Sequence, residues 1–237
     1  MTRRRWIADE FQGNSAALTG AHAHHLVHVL RARVGQACDI SAGGVVRRGT
    51  IRSLSESRVE FELSETLPNI ELPALTLFLA IFKFDRMEWA IEKCTELGVA
   101  RIVPLITKRT DNHLASAAPK RRERWERLTR QAAEQSRRIA PPELGDPIEV
   151  REAVQAEQRV RVLLAENEQD LRLTDALTEA PTDSTFALAV GPEGGWTEDE
   201  VQAFLSAGWL AASMGPTILR AETAAIASVV IALSALS

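Results

Sequence analysis

Through residues 1–70 apolar and polar side chains alternate in short runs: ACDISA at 37–42, VVRRGTIRSL at 45–54 and RVEFELSE at 58–65. Gly and Ser separate the runs, which is the pattern of half-buried strands. One helical stretch, His22–Arg33, interrupts them, with Leu26, Val29 and Leu30 on one face. Two prolines in LPNIELPAL (67–75) predict a linker. Beyond it, strands are expected at Leu75–Phe82, Arg101–Ile106, Arg159–Ala165 and Ser184–Val190. Helices are expected at Arg86–Leu97, closed by Gly98, at Pro119–Ile139, at Thr197–Ala207, closed by Gly208, and from Glu222 onward. Strands alternating with helices predict a parallel sheet covered by helices, so the chain divides into a β-rich part, 1–70, and an α/β part, 73–237. The closing stretch AETAAIASVVIALSAL has no polar face, and such a helix must be buried on nearly all sides, here by the sheet and by a partner subunit.

At 237 residues and 45% hydrophobic content, the chain is large enough for two modest cores. No uncharged apolar run reaches the about 18 residues of a membrane span and no signal peptide opens the chain, so a soluble, cytoplasmic protein without membrane attachment is expected. Cys38 and Cys94 are far apart and suggest neither a disulfide framework nor a paired-cysteine metal site. His22, His24, His25 and His28 have helical spacing, but no Glu or Cys completes a ligand shell nearby, and no metal is expected. The net charge of −4 hides an asymmetry: 14 basic against 9 acidic residues give +5 over 73–145, while 5 against 15 give −10 over 146–237. The basic middle is a candidate RNA surface. On a continuous helix at Pro119–Ile139, Lys120, Arg124, Arg127 and Arg138 fall beside an apolar face. Lys108 and Arg109 precede that helix, and Arg3, Arg4 and Arg5 open the chain, so phosphate contacts from both parts are expected.

The acidic third holds the most informative segment. The apolar run ending at Val190 stops at Gly191-Pro192-Glu193-Gly194-Gly195, and a helix restarts at Thr197, which forms an S/T-x-x-E capping box with Glu200. Proline and glycine together force a sharp turn that leaves backbone bare to a ligand. Neither G-x-G-x-x-G nor G-x-x-x-x-G-K-[ST] occurs, so the familiar phosphate cradles are absent. A second Gly/Pro loop, Met214-Gly215-Pro216-Thr217-Ile218-Leu219-Arg220, is mostly apolar and ends in one arginine. The two loops suit a nucleoside lacking phosphates, and the acidic surroundings suit a cation.

VGPEGGWTEDE (190–200) followed by MGPTILRAETA (214–224) resembles the signature of the RsmE family of SPOUT methyltransferases, which methylate N3 of a uridine in 16S ribosomal RNA. The likeness extends to EKCTELGVARIVPLITKRT (92–110), EQSRR (134–138) and HHLVHVLRARVGQ (24–36), and so covers most of the chain in order. Ala221 stands where the family usually has Thr, and Met214 where it usually has Leu. The resemblance implies an N-terminal PUA-like β-barrel that helps hold RNA and a C-terminal SPOUT α/β domain with a trefoil knot. It also implies a homodimer, S-adenosyl-L-methionine as cofactor, and 16S ribosomal RNA or the small ribosomal subunit as partner. It places the cofactor against Leu164, Glu166, Gly191, Pro192, Glu193, Gly194, Met214, Gly215, Ile218 and Leu219.

Arg220 is the residue expected to stabilise charge developing on the uracil carbonyls, because a guanidinium stays charged and donates in a fixed fork. Glu222 is expected either to accept the N3 proton or to fix Arg220; a structural ion pair of the two at a helix N-terminus is the alternative. Two other functions stay open, a ribose 2′-O-methyltransferase of the same superfamily and a non-catalytic, RNA-binding ribosome-assembly factor.

Overall fold

A computed structural model describes residues 5–69, 73–178 and 185–235. Two compact units are formed, Met1–Glu71 with Arg130–Pro141, and Leu72–Thr129 with Pro142–Ser237. The first therefore takes back a segment from the middle of the chain, a return that the linear division at 1–70 and 73–237 does not contain.

In the first unit β1 (Arg5–Ile7), β2 (Glu10–Gln12), β3 (Ser15–Thr19), β4 (Ala37–Ala42), β5 (Val45–Leu54) and β6 (Arg58–Thr66) form a curled sheet in the order β1-β4-β5-β6-β3-β2. β1 joins β4 in parallel and the other pairs are antiparallel. Their inward alternation buries Trp6, Leu18, Ile40, Ile51, Val59 and Phe61 around Leu26. The helix expected at His22–Arg33 is shorter: α1 (Gly20–His24) runs into one π-turn, His25–Val29, and Arg31 takes a left-handed φ of 52°. That conformation cannot continue a right-handed helix. The returning segment is fastened by polar contacts. Arg130 donates to the Ile7 carbonyl at 2.6 Å and pairs with Asp9 at 2.7 Å, Ser41 Oγ donates to the Ile139 carbonyl, and the fully buried Glu134 lies 3.8 Å from His22 Nε2. His24 and His28, both exposed, lie with ring centroids 4.4 Å apart and planes tilted by 37°, and no group of three metal-ligating side chains converges among the described residues.

The second unit is built on β7 (Leu75–Ala80), β8 (Arg101–Ile106), β9 (Glu143–Leu144), β10 (Ile148–Glu149), β11 (Val160–Leu164), β12 (Phe186–Val190) and β13 (Leu210–Ala212). All pairs are parallel, in the order β10-β8-β7-β12-β11-β13 with β9 on β8, as the alternation requires. The helices are α2 (Phe84–Leu97), α3 (Asn112–Ala117), α4 (Arg122–Gln135, of which the part from Arg130 belongs to the first unit), α5 (Val150–Ala153), α6 (Leu173–Thr178), α7 (Glu198–Ser206) and α8 (Ala221–Ala235). The single helix expected at Pro119–Ile139 is instead a 3-10 turn at Ala118–Arg121, entered from α3, and α4, which ends at Gln135 before Arg137 adopts a φ of 61°. Buried strands and helices enclose a core of Leu77, Leu79, Ile91, Trp125, Phe186, Leu188 and Val229. In a second cluster of this unit Trp196, Phe204, Trp209 and Phe78 stack edge to face, with successive centroids 5.3, 4.9 and 5.8 Å apart. α8 buries Ala225, Val229 and Ala232 but leaves Val230 43% exposed, so one side of this apolar helix stays uncovered by its own chain. No helix among the described residues is long and apolar enough to cross a membrane.

Candidate functional site

Where β11, β12 and β13 end, three connections converge on a cavity of about 700 Å³. Ligands of open parallel sheets collect at this edge. The cavity is lined by Leu164–Glu168 after β11, Val190–Trp196 after β12 and Ala211–Ala221 after β13, joined by Arg86 and Arg109.

The glycine turn is fastened from several sides. Gly195 has a φ of 71°, a region open to glycine at little cost, and its N–H closes the turn on the Pro192 carbonyl at 2.9 Å. Trp196 donates its indole N–H to the Leu164 carbonyl at 2.8 Å, and its ring lies 3.0 Å from where a Cβ on Gly191 would be, so the ring fills the space under the turn. Arg109 donates to the Gly194 carbonyl, and Arg86 Nη1 pairs with Glu193 at 2.8 Å. The expected capping box forms: Thr197 Oγ1 accepts from the Glu200 N–H, while Glu200 Oε2 accepts from the Thr197 N–H at 2.9 Å. The other oxygen of Glu200 accepts from the Lys108 N–H at 2.7 Å, tying the turn after β8 to the start of α7.

The second loop has few such ties. Gly215 has a φ of 120° and nothing within 4 Å of a Cβ built there, so its backbone conformation, and no steric neighbour, requires glycine. Ile218 is 81% exposed. Met214 packs against the core and Leu219 is half-buried, whereas Arg220 is exposed, and no partner is recorded for its side chain among the described residues. Its carbonyl accepts from the Ala224 N–H at 2.8 Å and so begins α8.

Glu222 follows on α8, but it lies outside the cavity wall and does not pair with Arg220. Its carboxylate is 8% exposed, and the nearest cation is the Arg86 guanidinium at 3.8 Å. The cavity is acidic on one side, where Glu166, Glu168 and Glu198 contribute. Hydrogen bonds from the Leu171 and Asp170 N–H groups hold the Glu168 carboxyl below the usual carboxylate range.

The structure thus gathers Leu164, Glu166, Gly191, Pro192, Glu193, Gly194, Met214, Gly215, Ile218, Leu219 and Arg220 around one cavity. It does not gather the basic residues. Arg109 belongs to the cavity wall. Arg124 is engaged by both oxygens of Glu88 at 2.8 Å. Arg138 lies beyond the end of α4, and burial pushes its guanidinium down to about 10, which leaves it charged at neutral pH. Arg5 donates to Asn69 and to the Arg137 carbonyl. Only Lys108 and Arg127 among the expected RNA contacts are exposed with no side-chain partner recorded among the described residues, and Arg3 and Arg4 lie outside those residues. Arg86 and Trp196 also line the cavity, and the sequence reading did not name them. A signal existed for Arg86, which lies in the first turn of the helix after a central strand, the place where such sheets bind ligands.

Residues 70–233 match the family described as RNA methyltransferase domain, and residues 18–64 match the RNA methyltransferase PUA domain. The ribosomal RNA small subunit methyltransferase E of Bacillus subtilis is 32% identical over 93% of this chain and 89% of its own. That of Synechocystis is 33% identical over 89% of this chain and 70% of its own. Among solved structures, a ribosomal RNA small subunit methyltransferase E from Neisseria gonorrhoeae bound to S-adenosyl methionine superimposes with a TM-score of 0.83 at 30% identity, covering 96% of this chain and 95% of that one. A protein from Legionella pneumophila, described as a methyltransferase in complex with SAM, gives 0.87 at 30% identity over 99% and 98%. A matched domain over most of the sequence, full-length relatives and the same two-part fold make this chain a member of the ribosomal RNA small subunit methyltransferase E family of RNA methyltransferases.

Proposed function

We propose that this protein transfers a methyl group from S-adenosyl-L-methionine to N3 of a uridine in 16S ribosomal RNA. The observation that carries this reading is the meeting of a fastened glycine turn and an arginine-bearing loop at the C-terminal edge of the parallel sheet. The residues fit the cofactor: bare backbone at Gly191–Gly195 offers donors and acceptors to a base edge, Leu164, Met214 and Leu219 supply apolar walls, and Glu166 and Glu168 complement a cation. Bound there, the cofactor supplies a methyl carried on a sulfonium. The chain's own residues position and stabilise: the turn fixes one reactant, and Arg220, exposed at the lip with no side-chain partner among the described residues, neutralises charge on the carbonyls of the N3-deprotonated uracil.

The β-rich unit and the exposed cations Lys108 and Arg127 hold RNA phosphates. We assign cofactor and chemistry to residues 73–237, with the trefoil knot formed by the loops after β11, β12 and β13. The uncovered side of α8, with Val230, is covered by a second copy of the chain, and the protein works in the cytoplasm on the small subunit or its RNA. Incubating RNA with methyl-labelled S-adenosylmethionine, followed by nucleoside analysis, tests the assignment. 3-Methyluridine is the expected product; a 2′-O-methylnucleoside would replace it with ribose methylation, and RNA binding without label transfer would leave an assembly factor.

A further inference from the structure

Arg86 stands between two carboxylates of different character. Glu193, on the glycine turn, is 38% exposed and accepts from Arg86 Nη1 at 2.8 Å. Glu222, in the first turn of α8, is 8% exposed; its Oε1 lies 3.8 Å from Arg86 Nε and its Oε2 is buried with no hydrogen-bond partner among the described residues. An exposed ion pair on flexible stems is weak and poorly fixed. A buried carboxylate on a helix is fixed, and its burial without a cation is costly. Glu222 therefore anchors the guanidinium, and the guanidinium in turn holds the turn. On the same turn Arg109 donates to the Gly194 carbonyl. Glycine confers freedom that binding would otherwise have to remove, so restraints at Glu193 and Gly194 lower the ordering cost of taking up a ligand.

We infer that Arg86 is a positioning residue of the cofactor turn, acting through Glu193 and itself set in place by Glu222. The inference rests on the cofactor reading proposed above. It gives Glu193 a role through Arg86 in place of direct contact with the cofactor, and Glu222 a role in place of proton transfer.

Two variants that retain the buried pair test it. Glu193→Ala removes only the link to the turn. Arg86→Lys keeps a positive charge against Glu222, so the buried carboxylate is not orphaned, but a point charge does not fork to both carboxylates. Titration calorimetry with S-adenosylmethionine on the full-length protein should show a loss on the order of fivefold to tenfold in each, with KM for the cofactor rising in the same ratio, kcat unchanged and an unaltered melting temperature. The double variant should be no weaker than either single one, because both cut the same link. Affinity within about twofold of wild type in Glu193→Ala would overturn the inference, as would losses that add, which would place Glu193 directly on the cofactor. A lowered melting temperature with unchanged affinity would make Arg86 merely structural. If the wild-type protein itself takes up no S-adenosylmethionine, the cofactor reading falls and this inference with it; if it binds and the variants match it, only the role of Arg86 fails.

Discussion

The two loops that line the cavity differ in how they are held. The Gly191–Gly195 turn is tied down by an indole, two guanidiniums and a capping box. The Met214–Arg220 loop presents Ile218 and Arg220 to solvent with few ties of its own. Fastening suits a surface that must match a ligand before it arrives, since restraints already in place reduce the entropy lost on binding. Openness suits a surface that is completed by something else, either the RNA or a second copy of the chain. The site divides its labour accordingly, with preorganisation on one lip and reach on the other.

The sharpest way to break this comparison is Arg220→Ala. An exposed arginine whose side chain has no partner among the described residues should leave melting temperature and cofactor affinity unchanged, while turnover in the labelled methyl-transfer assay falls on the order of a hundredfold, the scale for loss of one donor to transition-state charge. Near-normal turnover would remove Arg220 from the chemistry and leave the open loop without its assigned purpose.

A smaller effect sharpens the comparison through two glycines with positive φ. At Gly195 the turn is over-determined, so Gly195→Val should be felt as strain of about 1–3 kcal/mol, lowering both the melting temperature and the calorimetric affinity for S-adenosylmethionine. Gly215→Val meets no neighbour and sits in a loop free to relax, so affinity should fall with the melting temperature unchanged. Equal thermal destabilisation of the two would show that the loops are held alike.

The smallest effect concerns arginines of α4, to which the same distinction between tied and free applies. Arg127→Gln should lower the log–log salt slope of RNA binding by about one without affecting stability. Arg124→Gln should leave the slope unchanged and instead destabilise the fold, because it strips the bidentate partner from the mostly buried Glu88. Identical slopes for both variants and wild type would place the RNA on another surface.

Features written in contiguous residues were legible before any coordinates. The glycine turn, the Thr197–Glu200 box and the parallel direction of β7, β8, β11 and β12 follow from local turn chemistry and period. What escaped was short or non-local. β9, β10 and α5 are two to four residues long, below the window in which a period can be recognised. The stretch Asn112–Ile139 has helical composition throughout, and composition does not reveal that Arg137 turns left-handed or that Arg138 is drawn inward. Arg86 and Glu222 are brought together only by the packing of α2 beside α8, and a sequence that places Arg220 two residues from Glu222 suggests the wrong pair.

The return of Arg130–Pro141 to the first unit sets an order of events during synthesis. Domains usually fold from the N-terminus as they leave the ribosome. Here the curled sheet has β1 and β4 in hand early, yet the partners of Ile7, Asp9 and Ser41 are translated only after β7, α2 and β8. The N-terminal unit therefore cannot reach its final state until residue 141 has been made, and a truncation after residue 70 would leave its polar seams open. Neither unit can be exchanged between relatives as one uninterrupted block.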